Sequence, residues 1–331
     1  MTYIQGGLIQ AVDYNGFAST TSGANVNNVW STGSASFGWG QTALSTVSTG
    51  ATVTATQWAS LVNTISSMGS QTGTTITSRT PPVAGNTINI LAALNTDLTN
   101  ITNNRGNAAA SGTEVGTFSG TTSKTTDTGS GQAAWTITFT HTVTFASADA
   151  LRYFFNAGGI VRIKYGKSST GTDHDPDWNT FAGLCGSINL TGRVGGANQT
   201  IAGQVYTGTT RLSGSGGTQT TLATTTGWYN LTGSPTTIFQ LNNTVSPYSP
   251  EFIRTTATAT SGTVLTLVTT WVDDGTAVAG ATSNITGGTA TTSPSTTITG
   301  TAPTTLVTFI PPSTSFLTAS WGTPTIAASV A

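Results

Sequence analysis

The residues best placed to do chemistry lie in Asp173-His-Asp-Pro-Asp177, where carboxylates recur at every second position. Asp173, Asp175 and Asp177 would offer hard oxygen ligands to a Ca²⁺ ion. The pattern departs from an EF-hand loop, because Trp178 stands where that loop needs glycine and Leu184 where it needs a bidentate glutamate. A solvated loop leading into a helical turn accounts for the same residues, so neither metal nor cofactor is expected. His141 and His174 are the only histidines, and no Gly-x-Ser-x-Gly signal supplies the nucleophile that a Ser-His-Asp relay requires. A glycosidase needs two carboxyl groups across its substrate, which here would come from Glu114, Glu251 or one of few aspartates. Asp273-Asp274 precedes Gly275 and reads as a turn. Gly214-Ser-Gly-Gly217 lacks the lysine of a phosphate loop and reads as one too. Catalysis is therefore not expected.

These residues hang on a clear framework, centred on residues 132–166. Trp135, Ile137, Phe139, Val143 and Phe145 alternate with Thr136, Thr138, Thr140, Thr142 and Thr144, which is the period of a strand with one buried face. His141 falls in phase with the apolar set, so either the strand bends there or a hydrogen-bonded histidine is buried. An aromatic block, Tyr153 to Phe155, leads to a turn at Asn156-Ala-Gly-Gly159. A second alternating strand follows from Ile160 to Tyr165. Phe154 and Phe155 are expected in the core, with Asn156, Gly158 and Gly159 shaping the turn, and the two strands are expected to form the central pair of a sheet.

Earlier in the chain, residues 1 to about 50 read as an irregular segment anchored by aromatic residues such as Trp30 and Trp39. Trp58, Leu61, Val62, Ile65 and Met68 share one helical face, with Thr54 or Thr56 as the cap and Gly69 as the stop. A second amphipathic helix is predicted over 87–103, through Ile88, Leu91, Leu98 and Ile101. Trp178, Phe181 and Leu184 predict one short helical turn. Beyond residue 131 the helical period otherwise gives way to strands at 188–190, 200–206, 238–241, 252–259, 264–272 and 306–310. The predicted class is mainly β. An antiparallel β-sandwich at 132–331 follows a small helical domain at 1–110 that serves assembly or attachment, with a linker at 111–131.

Composition narrows the function. Charged residues make up 6% of the chain, against about 25% in an ordinary soluble domain. The net charge of −1 leaves no footprint for nucleic acid. No apolar run is long enough to insert in a membrane, and the opening residues lack the basic start and apolar stretch of a secretory signal. With Cys185 alone there is no internal disulfide, and its Gly-Leu-Cys-Gly setting reads as buried core. A surface so poor in charge is expected to be covered in an assembly, because the centres of permanent interfaces are depleted in charge.

Several stretches carry a resemblance. They are Val12-Asp-Tyr-Asn15, Asn28-Val-Trp30, Gly38-Trp-Gly-Gln41, Val53 to Asn63, Leu151-Arg-Tyr-Phe-Phe-Asn-Ala-Gly-Gly159, Ile310-Pro-Pro312 and Trp321-Gly-Thr-Pro324. Together they resemble virion structural proteins of tailed bacteriophages, especially tail and tail-fibre-type proteins of marine and cyanobacterial phages. The resemblance implies a non-enzymatic tail, tail-fibre or neck component, made in the host cytoplasm and released by lysis. Its partners would be other virion proteins and further copies of itself, as a trimer in a fibre. A receptor- or glycan-binding adhesin contacting host surface glycan and a capsid decoration protein are the alternatives.

Overall fold

The computed structural model describes residues 10–19, 24–33, 37–85, 93–116, 123, 135–168, 175–192, 199–201, 204–206, 209–212, 214, 220–222, 231–243, 251–273 and 301–331. It is rich in antiparallel strands, with helices concentrated before residue 110.

The first fifty residues, expected to be irregular, contain helices α1 (Ala11–Ala18) and α2 (Val26–Trp30). Neither shows an apolar stripe long enough to read from sequence. They are fixed by burial of Tyr14, Phe17, Val26 and Val29 and by Asn25, whose side chain caps α2. Helix α3 (Ala55–Thr72) starts at Thr54, not Thr56. The Thr54 hydroxyl accepts from the Gln57 amide, and the Gln57 side chain accepts from the Thr54 N–H at 2.8 Å. Its predicted face is buried, with Trp58, Leu61, Ile65 and Met68 each at 1% exposure or less. Each such side chain contributes about 1.5–3 kcal/mol. Gly69 does not stop the helix. It lies inside α3 against Ile76, and the left-handed Gly73 ends it. Helix α4 (Leu94–Asn104) begins seven residues later than the predicted 87, and residues 86–92 lie outside the described set.

Most predicted strands are present, but the one expected at 200–206 is two short strands, 199–201 and 204–206, and the expected central pairing does not occur. Strand β1 (Trp135–Thr144) and strand β2 (Ile160–Gly166) are not partners. Between them the aromatic block forms helix α5 (Ala148–Asn156), capped by Ser147, and this helix carries the chain from one sheet to the other. A two-stranded hairpin would need a tight turn, whereas a helix of this length carries its strand elsewhere. Helix α6 (Asp175–Cys185) is likewise a full helix where a single turn was expected.

The remaining strands are β3 (Ser187–Leu190), β4 (Gln199–Ile201), β5 (Gln204–Tyr206), β6 (Thr209–Leu212), β7 (Thr220–Leu222), β8 (Thr236–Asn242), β9 (Phe252–Thr260), β10 (Val264–Asp273), β11 (Thr304–Ile310) and β12 (Thr325–Val330). One antiparallel sheet has the order β12-β1-β10-β9-β8-β7 and another β11-β2-β3-β6, while β4 and β5 form a separate hairpin. Strand β1 pairs with β10 from Trp135↔Asp273 to Thr144↔Val264 without interruption, so His141 causes no bend. Apolar side chains from both larger sheets and from α1–α5 join one core cluster. Segment 110–116, which runs from the last residue of the expected helical domain into the expected linker, lies beside β11 through bridges at Ala110–Pro312 and Val115–Phe309.

Candidate interaction surface

The threonines of β1 follow directly from its period: odd positions are buried and even ones face outward. Strand β10 alternates in the same phase, with Thr266, Val268 and Thr270 outward, and β9 adds Thr256 and Thr258. Register aligns these into rows across three strands, Thr140–Val268–Thr256 and Thr142–Thr266–Thr258. Among the described outward residues of this sheet the single charge is Arg254, whose guanidinium lies 5.1 Å from the Phe252 ring centre. Threonine and valine have nearly the same outline, so the rows make an even surface of methyl and hydroxyl groups. Covering it desolvates hydroxyls rather than ions, which is far less costly.

Beneath this surface a few polar groups cross between the sheets. Trp271 Nε1 donates to Thr305 Oγ1 at 2.9 Å, and the Tyr165 and Thr255 hydroxyls lie 2.7 Å apart. The Thr255 hydroxyl also bonds that of Thr269 at 2.9 Å. His141 is fully buried. Desolvation lowers its pKa to about 4, against a smaller upward pull from a hydrogen bond with the Thr305 backbone, so the imidazole is neutral at pH 7. Burial raises Tyr165 well above the usual phenol value. The inward Thr255, Thr269 and Thr305 were not singled out from sequence. Their signal is the one His141 gives: a polar residue in phase with an apolar run.

On the far face of the four-stranded sheet, Glu114 spans Lys164 at 2.7 Å and Arg162 at 3.3 Å and accepts from Thr308. Burial alone would raise its pKa. The Lys164 and Thr308 hydrogen bonds and the two cations outweigh that, and the carboxyl titrates below its ordinary value. Glu251 is buried and accepts from Asn243 at 3.0 Å. Both carboxylates therefore serve local ties. Asp273 is buried at the end of β10, and Asp274 lies outside the described residues.

Asp173 and His174 also lie outside the described residues. Asp175 and Asp177 belong to the first turn of α6, without described side chains. Among the described residues no group of three potential metal ligands assembles. Cys185 is buried, its thiol donating to the Phe181 carbonyl at 3.5 Å. Gly214 adopts a left-handed conformation beside Gly186, and residues 215–217 are not described. A cavity of about 660 Å³ lies between Gln10–Asn15 and Thr49–Val53 with Trp58 at its wall. A smaller one of about 270 Å³ is lined by Val62, Ile65, Ile76, Arg79 and Leu94.

The Phe154–Gly159 motif forms a joint. Phe154 and Phe155 are buried, and Phe154 packs edge-on to Phe145 at 5.3 Å and to Phe309 at 6.1 Å. Gly158 has φ +109°, where a Cβ would run into the Ala108 carbonyl, and a Cβ on Gly159 would strike the Phe154 ring. Asn156 donates to the Gly38 carbonyl at 3.2 Å and Arg152 to that of Phe37 at 2.7 Å. The Gln71 amide of α3 donates to the carbonyls of Ala109 and Ala157, both at 3.1 Å. Gln41 donates to the Thr318 carbonyl at 3.0 Å, and Ser320 donates to that of Trp39 at 2.8 Å. Stretches distant in sequence (38–41, 151–159 and 318–321) thus meet in one place.

The chain matches no protein-family model, no curated protein and no solved structure. Among the described residues, no helix is long and apolar enough to cross a membrane.

Proposed function

We propose that this chain is a non-enzymatic structural subunit of a tailed-bacteriophage virion, in the tail, a tail fibre or a neck appendage. In this reading the two larger antiparallel sheets are the layers of a β-sandwich. Residues 1–110 form the attachment region, and the sandwich packs against neighbouring virion subunits. The observation that carries the reading is the threonine–valine face of the six-stranded sheet, which runs across β1, β10 and β9 with Arg254 as its one described charge. A face of this kind suits permanent contact, since covering it buries methyl groups and leaves almost no ion to desolvate. The setting in a virion rests on the resemblance. Three of the stretches that carry it, around Trp39, Phe154 and Trp321, converge on one joint, as a shared structural unit requires.

The test is to purify particles from a lysate in which this protein is made and to locate it by peptide mass spectrometry and immunogold labelling. The protein is expected at fixed stoichiometry in the particle. Recovery only from the soluble fraction would overturn the proposal. Glycan-array binding by protein that is also in the particle would shift its place to a receptor-contacting tip.

A further inference from the structure

The sheet edges are treated unequally. In the four-stranded sheet, β11 is flanked by residues 110–116 and by Ser123, bridged at Ala110–Pro312, Val115–Phe309 and Ser123–Thr304, and β6 at the other edge has four residues. In the six-stranded sheet one edge, β7, has only three residues. The other edge is β12, with six residues, Thr-Ile-Ala-Ala-Ser-Val. Short strands, covering segments, charges and prolines are the usual protections of an exposed edge. Strand β12 is longer than either short edge and has no charge or proline within its span, although Pro324 stands just before it, and among the described residues no strand or bridge covers its outer side.

The direction of its backbone groups follows from the register. Thr138 and Ala331 exchange both hydrogen bonds, at 2.8 and 2.9 Å. In an antiparallel ladder such pairs alternate, so Ser329, Ala327 and Thr325 likewise turn N–H and C=O toward β1, opposite Thr140, Thr142 and Thr144. Ile326, Ala328 and Val330 therefore point N–H and C=O away from β1, and among the described residues no strand meets them. Their side chains lie on the core side of the sheet. Ile326 and Val330 pack against the core cluster but stay half-exposed at its margin.

We propose that β12 is a self-pairing edge, joining two copies antiparallel about Ala328 so that their six-stranded sheets continue as one. In that register Ala328 meets its own counterpart and Ile326 meets Val330 of the second copy. All three outward residues then gain partners, and the half-exposed Ile326 and Val330 cover each other. A charge-free strand meets itself without like-charge repulsion, whereas a guarded edge would not. Self-pairing of one antiparallel edge is isologous, so its symmetry is twofold and not the threefold expected of a fibre trimer. The proposal deepens the reading of the chain as an assembling subunit and names one of its contacts.

Sedimentation velocity on the purified full chain tests it. The wild type is expected to be a reversible dimer. Ala328→Pro removes an outward donor while sparing the bonds to β1, and is expected to weaken the dimer at least about tenfold with thermal stability little changed. The double variant Ala327→Lys with Ser329→Lys sets lysines opposite each other across the seam, on exposed positions that do not touch the core. It is expected to dissociate the dimer even if the proline variant fails to fold. A wild type that is monomeric at every concentration, or an oligomer of any size that the double variant leaves intact, would overturn the proposal. Purified protein decides this question and purified particles decide the virion question. A particle protein that is monomeric in solution refutes only the edge pairing, and a dimer absent from particles refutes only the virion reading.

Discussion

Protonating His141 would place a cation inside β1 between Phe139 and Val143, both fully buried. The folded protein resists this: the imidazole titrates near pH 4, against about 6.5 in an unfolded chain. The unfolded state therefore binds the extra proton first as pH falls. The stability that neutral His141 holds at pH 7 declines between about pH 6.5 and pH 4, by an amount on the order of 3 kcal/mol. Urea unfolding at pH 7 and pH 4.5 is expected to show this loss, and His141→Gln is expected to lose less over the same interval. An equal loss in the variant would assign the pH dependence to carboxylates such as Glu114, whose depressed pKa acts in the same direction at lower pH. In sequence the in-phase position of His141 already allowed a buried histidine. Only the opposing sheet supplied the Thr305 backbone as its partner.

At the scale of elements, α3 shows how far local signals reach. The apolar face was fully legible, because five residues at helical spacing leave no other period. The ends were less so. Thr54 and Thr56 are both reasonable caps, and the choice depends on Gln57 reaching back to the Thr54 N–H. Thr54→Ala is expected to cost about 1 kcal/mol. Thr56→Ala, within the helix, should change stability by less than about 0.5 kcal/mol. Chemical denaturation of the two variants side by side checks this, and equal effects would remove the cap assignment. Gly69 misled because its cost in a helix interior is local, whereas its close approach to Ile76 is tertiary. Strand β12 was missed for a related reason: Ile-Ala-Ala-Ser-Val has little amphipathic contrast, and its strand state depends on pairing with β1.

For the whole molecule, the proposed contact surface is the product of register. Threonines on β1 matter as a surface only because β10 and β9 bring Thr266, Thr256 and Thr258 into the same rows. Thr140→Lys combined with Thr256→Lys puts two charges into one row without touching the core. Folding is expected to be nearly unchanged by circular dichroism and melting, while incorporation into particles falls at least about tenfold, consistent with two desolvated ions at a contact. Undiminished incorporation would move the contact to another face. Because the β12 edge lies at the side of this surface, the paired lysines are expected to leave solution dimerisation intact, which separates the two contacts experimentally.

By itself the sequence determined the buried face of α3 and the long alternating strands β1, β2, β9 and β10, because period two and period 3.6 are local properties of apolar spacing, whereas α1, α2, α5 and β12 depend on tertiary packing. It also determined that charge is scarce, that Cys185 stands alone, and that Phe154 and Phe155 belong to the core. Which strands pair was decided by the tertiary structure. Residues 132–166 look like one hairpin in sequence, yet Ser147 caps a helix between the strands and sends β2 to the other sheet. The alternation that defines a strand says which face is buried but not which neighbour lies beside it. That choice belongs to hydrogen bonds and packing between residues far apart in the chain.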